Sequence, residues 1–322
     1  MLNQKNIGVI VPALNEELLI SETVNGIPNY VDSIIVINDG STDKTEEIVD
    51  ALALEDSRIK QIVHDERKGL GQSLIDGYLA ALELEQDIIA VMAGDNQMHP
   101  DDLIDVVSPI AEDRADYIKG NRLFRSDTRE KMPTYRYFGN AGLTLLTKFA
   151  TGYWKSVDPQ CGYTAISAEA LKKIPIQNMT KGYGYNAHLL WMLNLENLIV
   201  GDAEVRPVYD REKSKIKVVR YIAHISYLLA SLFFSRLWSK YLVRDFNPLA
   251  ILYIFSLINL FILVPALLIR IGFLWYTVGY LPQTSFLVFS FSFLLGFNSL
   301  IQAIWMDMYD NRANWIEKVR LR

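Results

Sequence analysis

The sequence predicts an open α/β domain with a mostly parallel sheet, followed by an interfacial helix and two membrane-spanning helices. Two patterns carry that prediction. Residues 1–218 alternate short apolar runs with amphipathic segments, the pattern of strands connected by helices across a parallel sheet. Residues of about 246–269 and about 284–306 are long apolar runs that fit the ~20 residues a bilayer-crossing helix needs.

Ile7–Val11 is continuously apolar and stops at Pro12, as expected of a strand buried on both faces. Ser33–Ile37 repeats the pattern and runs into Asn38-Asp39-Gly40-Ser41, after which Asp43 and Glu46 are spaced like a capping box. Ile59–Val63 reads as a third strand. The helix after Lys68–Gly71 places Leu70, Leu74, Ile75, Tyr78, Leu79 and Leu82 on one face. Ile88–Met92 is a fourth strand, halted by Ala93-Gly94-Asp95-Asn96-Gln97, and Asp101 and Asp102 behind Pro100 suit the positive end of a following helix.

Ligands of open α/β sheets bind beyond the carboxyl ends of the strands. The polar clusters at residues 15–17, 38–43 and 95–97 all fall at such ends. Turn chemistry alone accounts for any one of them; their convergence on one edge marks a site.

Composition narrows the partners. Of 322 residues half are hydrophobic, and 32 Lys and Arg against 37 Asp and Glu give a formal charge of −5, which argues against bulk nucleic-acid binding. A single cysteine, Cys161, excludes an intrachain disulfide and fits a cytosolic face. Ile7–Val11 is too short for the apolar core of a signal peptide, so the first domain is expected in the cytoplasm.

The character changes from Arg206, where Arg206, Arg211, Lys213, Lys215, Lys217 and Arg220 form a basic stretch. Tyr221–Ser235 is uncharged but short for a span, so residues 219–244 are expected to lie in the membrane interface with Trp238 and Tyr241 at headgroup depth; a third, short span is the alternative. Residues 245–307 hold the two spans, with Arg270 in the connection between them, and 308–322 form a cytoplasmic tail. Lys and Arg gather before the first span and after the second, placing both termini in the cytoplasm.

Val11-Pro12-Ala13-Leu14-Asn15-Glu16-Glu17, Asn38-Asp39-Gly40-Ser41-Thr42-Asp43, Lys68-Gly69-Leu70-Gly71 and Gly94-Asp95-Asn96-Gln97-Met98-His99-Pro100 occur in this order. Together they resemble the family-2 glycosyltransferases of the GT-A fold, most similarly the polyprenyl-phosphate branch typified by dolichyl-phosphate mannosyltransferase. The resemblance implies a membrane-bound inverting transferase that moves a sugar from a nucleotide-sugar donor to polyprenyl phosphate. It also implies a divalent cation, Mg2+ or Mn2+, at Asp95 and Gln97, to neutralise the departing diphosphate. Asp95 matches the second aspartate of the family's metal-binding element, whereas Ala93 replaces the first.

By the same resemblance Pro12, Asn15, Glu16, Asp39, Lys68, Gly71 and Asp95 border the donor, Asn38 replaces an acid, and Glu17 faces solvent. Arg122 is expected near the reacting phosphates, with Arg125, Arg129 and Arg136 following. Ser214 and Lys215, flanked by Lys213 and Lys217, are expected at the acceptor phosphate; a polybasic strip on anionic lipid explains them equally. Gln160-Cys161-Gly162-Tyr163 matches the acceptor-side turn, with Thr164 where an arginine often stands. Asn186 stands where many relatives carry an acid. A phosphate monoester is already anionic and needs no general base, so this absence favours a phosphate acceptor over a hydroxyl. Two alternatives stay open: extension of a lipid-linked glycan at a sugar hydroxyl, with His188 as base, and a non-catalytic membrane scaffold of this fold.

Overall fold

The computed structural model describes residues 2–122, 134–206 and 218–316. Seven strands form one sheet in the order β3-β2-β1-β4-β6-β5-β7. They are β1 (Ile7–Ala13), β2 (Ser33–Asn38), β3 (Ile59–Val63), β4 (Ile88–Val91), β5 (Tyr117–Asn121), β6 (Thr164–Ser167) and β7 (Val200–Glu204). Only β6 runs against its neighbours; β1 to β4 are parallel, and β5 pairs β7 in parallel.

The continuous apolar runs follow from burial on both faces. Val9, Val11, Ile34 and Val36 enter one core layer, while Ile10, Ile35 and Ile37 enter the other, because alternate side chains leave a strand on opposite sides. The helix Leu70–Glu83 buries Leu74, Ile75, Tyr78 and Ala81 on the second layer; Leu70, expected on that face, is exposed. Asp43 accepts from the N–H of Thr45 at 3.0 Å and from that of Glu17 at 3.1 Å, so it serves the helix start and ties it to the loop after β1.

The chain divides into two compact units, Met1–Phe233 with Ala313–Arg322, and Phe234–Arg312. The first extends past the expected boundary at residue 218 because the helix Val218–Trp238 buries Ile225, Leu229 and Leu232 against Leu143, Ala150 and Ala187. The expected tail also differs. Val200 donates to the Asn314 carbonyl at 2.9 Å and Ile316 to that of Val200 at 3.0 Å, so the segment covers the edge of β7.

In the second unit, Pro248–Val278 and Gln283–Asp310 are the two helices long and apolar enough to cross a membrane. The first passes through a π-helical turn at Asn259–Leu263 just before Pro265, where the proline ring would otherwise crowd the carbonyl four residues back. Both helices outrun the expected limits, so Arg270 lies within the first helix and only Gly279–Pro282 connects them. Tyr241, expected at headgroup depth, is 1% exposed and enclosed by protein, whereas Trp238 is 65% exposed.

Candidate active site

Because β2, β1 and β4 are adjacent and parallel, their carboxyl ends meet, and the polar loops behind them interlock. The Asn15 N–H donates to Ser41 Oγ at 3.0 Å, and Asn15 Oδ1 accepts from the Thr42 N–H at 2.8 Å. Asn15 holds a left-handed φ of 58°, a conformation that asparagine tolerates. The Glu16 N–H donates to Thr45 Oγ1 at 2.9 Å. On the other side of β1, Gly94 donates to the Pro12 carbonyl at 3.1 Å. Pro12 itself is buried in the sheet, so it shapes this edge through its backbone. The three clusters that the sequence placed at strand ends thus form one edge.

Asp39 is buried, and its carboxylate accepts from the N–H groups of Lys68 at 2.8 Å and Gly69 at 3.0 Å. His64 Nδ1 lies 3.0 Å from the same carboxylate, and His64 Nε2 lies 2.9 Å from Asp76. Asp39 therefore organises the 68–71 turn, a structural task beside the one expected of it. Lys68 presents an exposed side chain. Gly71 was expected to border the donor, and the space a side chain would take there is filled by the chain itself. A Cβ there would lie 2.1 Å from the Thr180 carbonyl oxygen, and the Gly71 N–H donates to Lys181. Asn38 is buried and caps its own turn, accepting from the Ser41 N–H at 3.0 Å.

Asp95 and Gln97 are half-buried at the end of β4, and Asp95 Oδ1 accepts from the Gln97 N–H at 3.1 Å. This closes a turn, with Asn96 at φ 55°, that fixes the carboxylate at the cleft edge. No group of three or more His, Cys, Asp or Glu among the described residues could hold a metal ion alone. One hard carboxylate oxygen with a neutral amide beside it fits a Mg2+ or Mn2+ ion that shares its coordination with the phosphates of a nucleotide.

The turn at residues 160–163 meets this loop. A Cβ on Gly162 would lie 3.3 Å from Tyr185 Oη and 3.4 Å from Met98 Cε, and Tyr163 Oη donates to the His99 carbonyl at 3.2 Å. Cys161 is buried, and burial pushes its thiol pKa up, the opposite of a nucleophile. Asn186 is buried, and His188 Nδ1 accepts from the Thr180 N–H at 3.1 Å. Burial also lowers the His188 pKa, so the ring is neutral and its Nδ1 is committed to that loop.

Arg122, at the end of β5, forms a two-point pair with Asp158, Nε to Oδ2 at 2.8 Å and Nη2 to Oδ1 at 3.1 Å. Burial opposes ionisation of Asp158, yet the hydrogen bonds and charge of Arg122 and the Lys119 charge hold its pKa below the usual carboxylate value. Sequence reasoning missed Asp158, although it immediately precedes the Pro159–Gln160 step of the recognised turn. It also missed the buried pair of Lys119 and Asp202, whose only signal is a charge at the middle of each of two short strands. Arg206, assigned to the basic stretch, is paired with Asp102, its Nε 2.8 Å from the carboxylate. Arg125, Arg129, Lys213, Ser214, Lys215 and Lys217 lie outside the described residues, as does the side chain of Arg136.

The chain is similar to UDP-N-acetylglucosamine--dolichyl-phosphate N-acetylglucosaminyltransferase of Methanococcus voltae, 33% identical over 218 residues that cover 64% of this chain and 86% of the relative. It is also similar to polyprenol monophosphomannose synthase of Mycolicibacterium smegmatis, 28% identical over 57% of this chain and 70% of the relative. Among solved structures, glucosyl-3-phosphoglycerate synthase from Mycobacterium tuberculosis in complex with Mn2+, uridine-diphosphate and glucosyl-3-phosphoglycerate shares the fold. Its TM-score is 0.53 at 23% identity, over 72% of this chain and 80% of that one. Residues 8–175 match Glycosyl transferase family 2, a stretch that starts in β1 and takes in every strand end described above. The mixed sheet is accordingly a GT-A sheet, and the chain belongs to glycosyl transferase family 2 as a glycosyltransferase.

Proposed function

We propose that the protein transfers a sugar from a nucleotide-sugar donor to polyprenyl phosphate at a membrane, with inversion at the anomeric carbon. The relatives named for dolichyl and polyprenol phosphates support the acceptor. The observation that carries the reading is what stands, among the described residues, at the position expected of a base. Asn186 stands where a carboxylate would serve, and His188 is committed through Nδ1 to Thr180. A sugar hydroxyl must lose its proton during transfer, whereas a phosphate monoester attacks as the anion it already is.

The donor occupies the cleft at the ends of β1, β2 and β4, bordered by Pro12, Asn15, Glu16, Asp39 and Lys68. Asp95 and Gln97 would hold a divalent cation, which would supply charge neutralisation for the leaving group. Arg122, its plane set by Asp158, turns a planar fork toward phosphate oxygens. Ser214 and Lys215 hold the acceptor phosphate. Juxtaposing two anionic reactants in fixed orientation provides a large part of the rate.

The two apolar helices are membrane spans. The lack of Lys or Arg in the Gly279–Pro282 connection supports a cytoplasmic side for the catalytic domain and both spans' outer flanks. The test is incubation of the purified protein with a panel of labelled sugar nucleotides, polyprenyl phosphate and Mg2+ or Mn2+. The expected result is an acid-labile glycolipid that chelator abolishes. Labelling of a lipid-linked glycan instead, with none of polyprenyl phosphate, would overturn the proposed acceptor.

A further inference from the structure

We propose that Lys119 and Asp202 are positioning residues for sugar transfer: their buried pair clamps the backbone at residues 157–158 and, through Asp158, aims the Arg122 guanidinium. The inference rests on the reading of Arg122 as a phosphate-facing group. Lys119 and Asp202 sit opposite each other in the β5–β7 register and lie 2.7 Å apart, with side chains 1% and 4% exposed. Removing two charges from water is costly, and their mutual attraction alone seldom recovers the loss. Here each partner holds something else.

Lys119 Nζ donates to the Asp158 carbonyl at 2.9 Å. Asp202 Oδ2 accepts from the Val157 N–H at 3.1 Å and from Asn121 Nδ2 at 2.9 Å. One ion pair therefore grips the N–H of Val157 and the carbonyl of Asp158, the two ends of a two-residue stretch. With its backbone held at both ends, Asp158 presents its carboxylate to Arg122 in a two-point pair. Two parallel contacts fix the plane of a guanidinium as well as its position. The path runs from the sheet interior to the site without a break: Asp202 and Lys119, then residues 157–158, then Arg122. Its outer end is also where the acceptor-side turn begins, since the Cys161 N–H donates to the Asp158 carbonyl at 3.2 Å.

The test uses the full-length protein in detergent. Lys119→Met combined with Asp202→Leu removes both charges together, so no lone buried charge remains to unfold the domain. Displacing a group by about an ångström costs on the order of 100-fold in rate, so a loss of ~10- to 100-fold in kcat is expected. Affinity for the nucleoside diphosphate, read by calorimetry, should stay within about two-fold, because the donor cleft lies on other strands. A role confined to stability would lower the melting temperature and leave kcat of the folded enzyme intact.

Adding Asp158→Asn to the paired variant is expected to reduce kcat no further, since both changes act along one path. Full kcat in the folded paired variant, or effects that multiply, would overturn the proposal. Should the paired variant not fold, Asn121→Ala deletes one hydrogen bond to Asp202 and leaves both charges in place. A few-fold drop in kcat with unchanged donor KM is then expected, and wild-type kcat overturns the proposal. All rates are measured on the acceptor that the wild type glycosylates. A wild type that used a sugar hydroxyl would end the polyprenyl-phosphate reading while the kcat ratios still decided this one.

Discussion

The strand-end cluster of the catalytic unit and the polar cluster of the membrane unit are equally rich in hydrogen-bonding side chains, and they are closed in opposite ways. In the membrane unit Arg236 meets Asp307 through two contacts, at 2.8 and 2.7 Å, and both side chains are 0% exposed. Tyr241 Oη donates to Asp307 at 3.0 Å, Asn311 Nδ2 donates to Asp307 at 2.8 Å, and Lys240 donates to Asn311 at 3.0 Å. Each of these contacts joins two members of the cluster, and Tyr241 Oη also lies 3.1 Å from Asp310. At the strand ends the hydrogen bonds run mostly between side chains and loop backbone, while Asp95, Gln97 and Lys68 stay at the surface. A charged residue in an apolar helix invites a functional reading. Here enclosure separates the two cases: the closed cluster joins helices, and the strand-end cluster lies where the proposed donor would bind.

The largest effect expected from this contrast is on stability in the membrane unit. Asp307→Ala leaves Arg236 buried without its counter-charge, and breaking such a pair costs about 3–5 kcal/mol. Thermal unfolding in detergent measures it, and the double change Arg236→Leu with Asp307→Leu should recover most of the loss. A single variant as stable as wild type would show that water enters the cluster, and the contrast would fail.

At the open cluster the loss should appear in rate instead. Asp95→Asn keeps the shape and the turn but removes the charge, and kcat is expected to fall ~100- to 1,000-fold, about 2.7–4 kcal/mol of transition-state stabilisation. The melting temperature should move by no more than a few degrees. A variant that unfolds as readily as Asp307→Ala would make Asp95 a structural residue and sink the proposed donor site.

Gly71→Ala tests the boundary between the two kinds of role. The added methyl must displace the Thr180 carbonyl, 2.1 Å away, and overpacking of this sort costs about 1–3 kcal/mol. Since Asp39 holds the neighbouring turn through the Lys68 and Gly69 N–H groups, donor affinity should weaken alongside stability. Lost stability with unaltered donor affinity would separate this turn from the site.

What the sequence made legible follows from range. Strand runs, the ordered strand-end motifs and the apolar spans are local patterns, and the structure has each of them. The features it concealed are pairings across the chain. Lys119 and Asp202 become partners only once β5 and β7 are known to be neighbours. Arg236 and Asp307, 71 residues apart, each stand at the edge of an apolar run, where a charge reads as an interfacial anchor. The packing of Tyr241 was hidden for the same reason: its hydroxyl is bonded to a buried carboxylate 66 residues away. The reversed strand β6 carries no mark of direction, because burial on both faces produces the same apolar run whichever way the strand points.

The smallest effect expected concerns His188, and it bears most directly on the acceptor. Burial lowers its pKa below the ordinary 6.5, and Nδ1 must stay unprotonated to accept from the Thr180 N–H. As pH falls, the unfolded chain takes up this proton before the folded one does. The stabilisation is therefore complete above about pH 6.5 and is lost as pH falls through the folded value. Between about pH 7 and pH 5 the melting temperature should drop through this group, a component absent in His188→Ala. Turnover of that variant at neutral pH should stay within about three-fold of wild type. General-base catalysis is worth roughly 100-fold or more, so a loss of that size would identify His188 as the base for a hydroxyl acceptor and move the site out of the class of enzymes that attack with a ready-made anion.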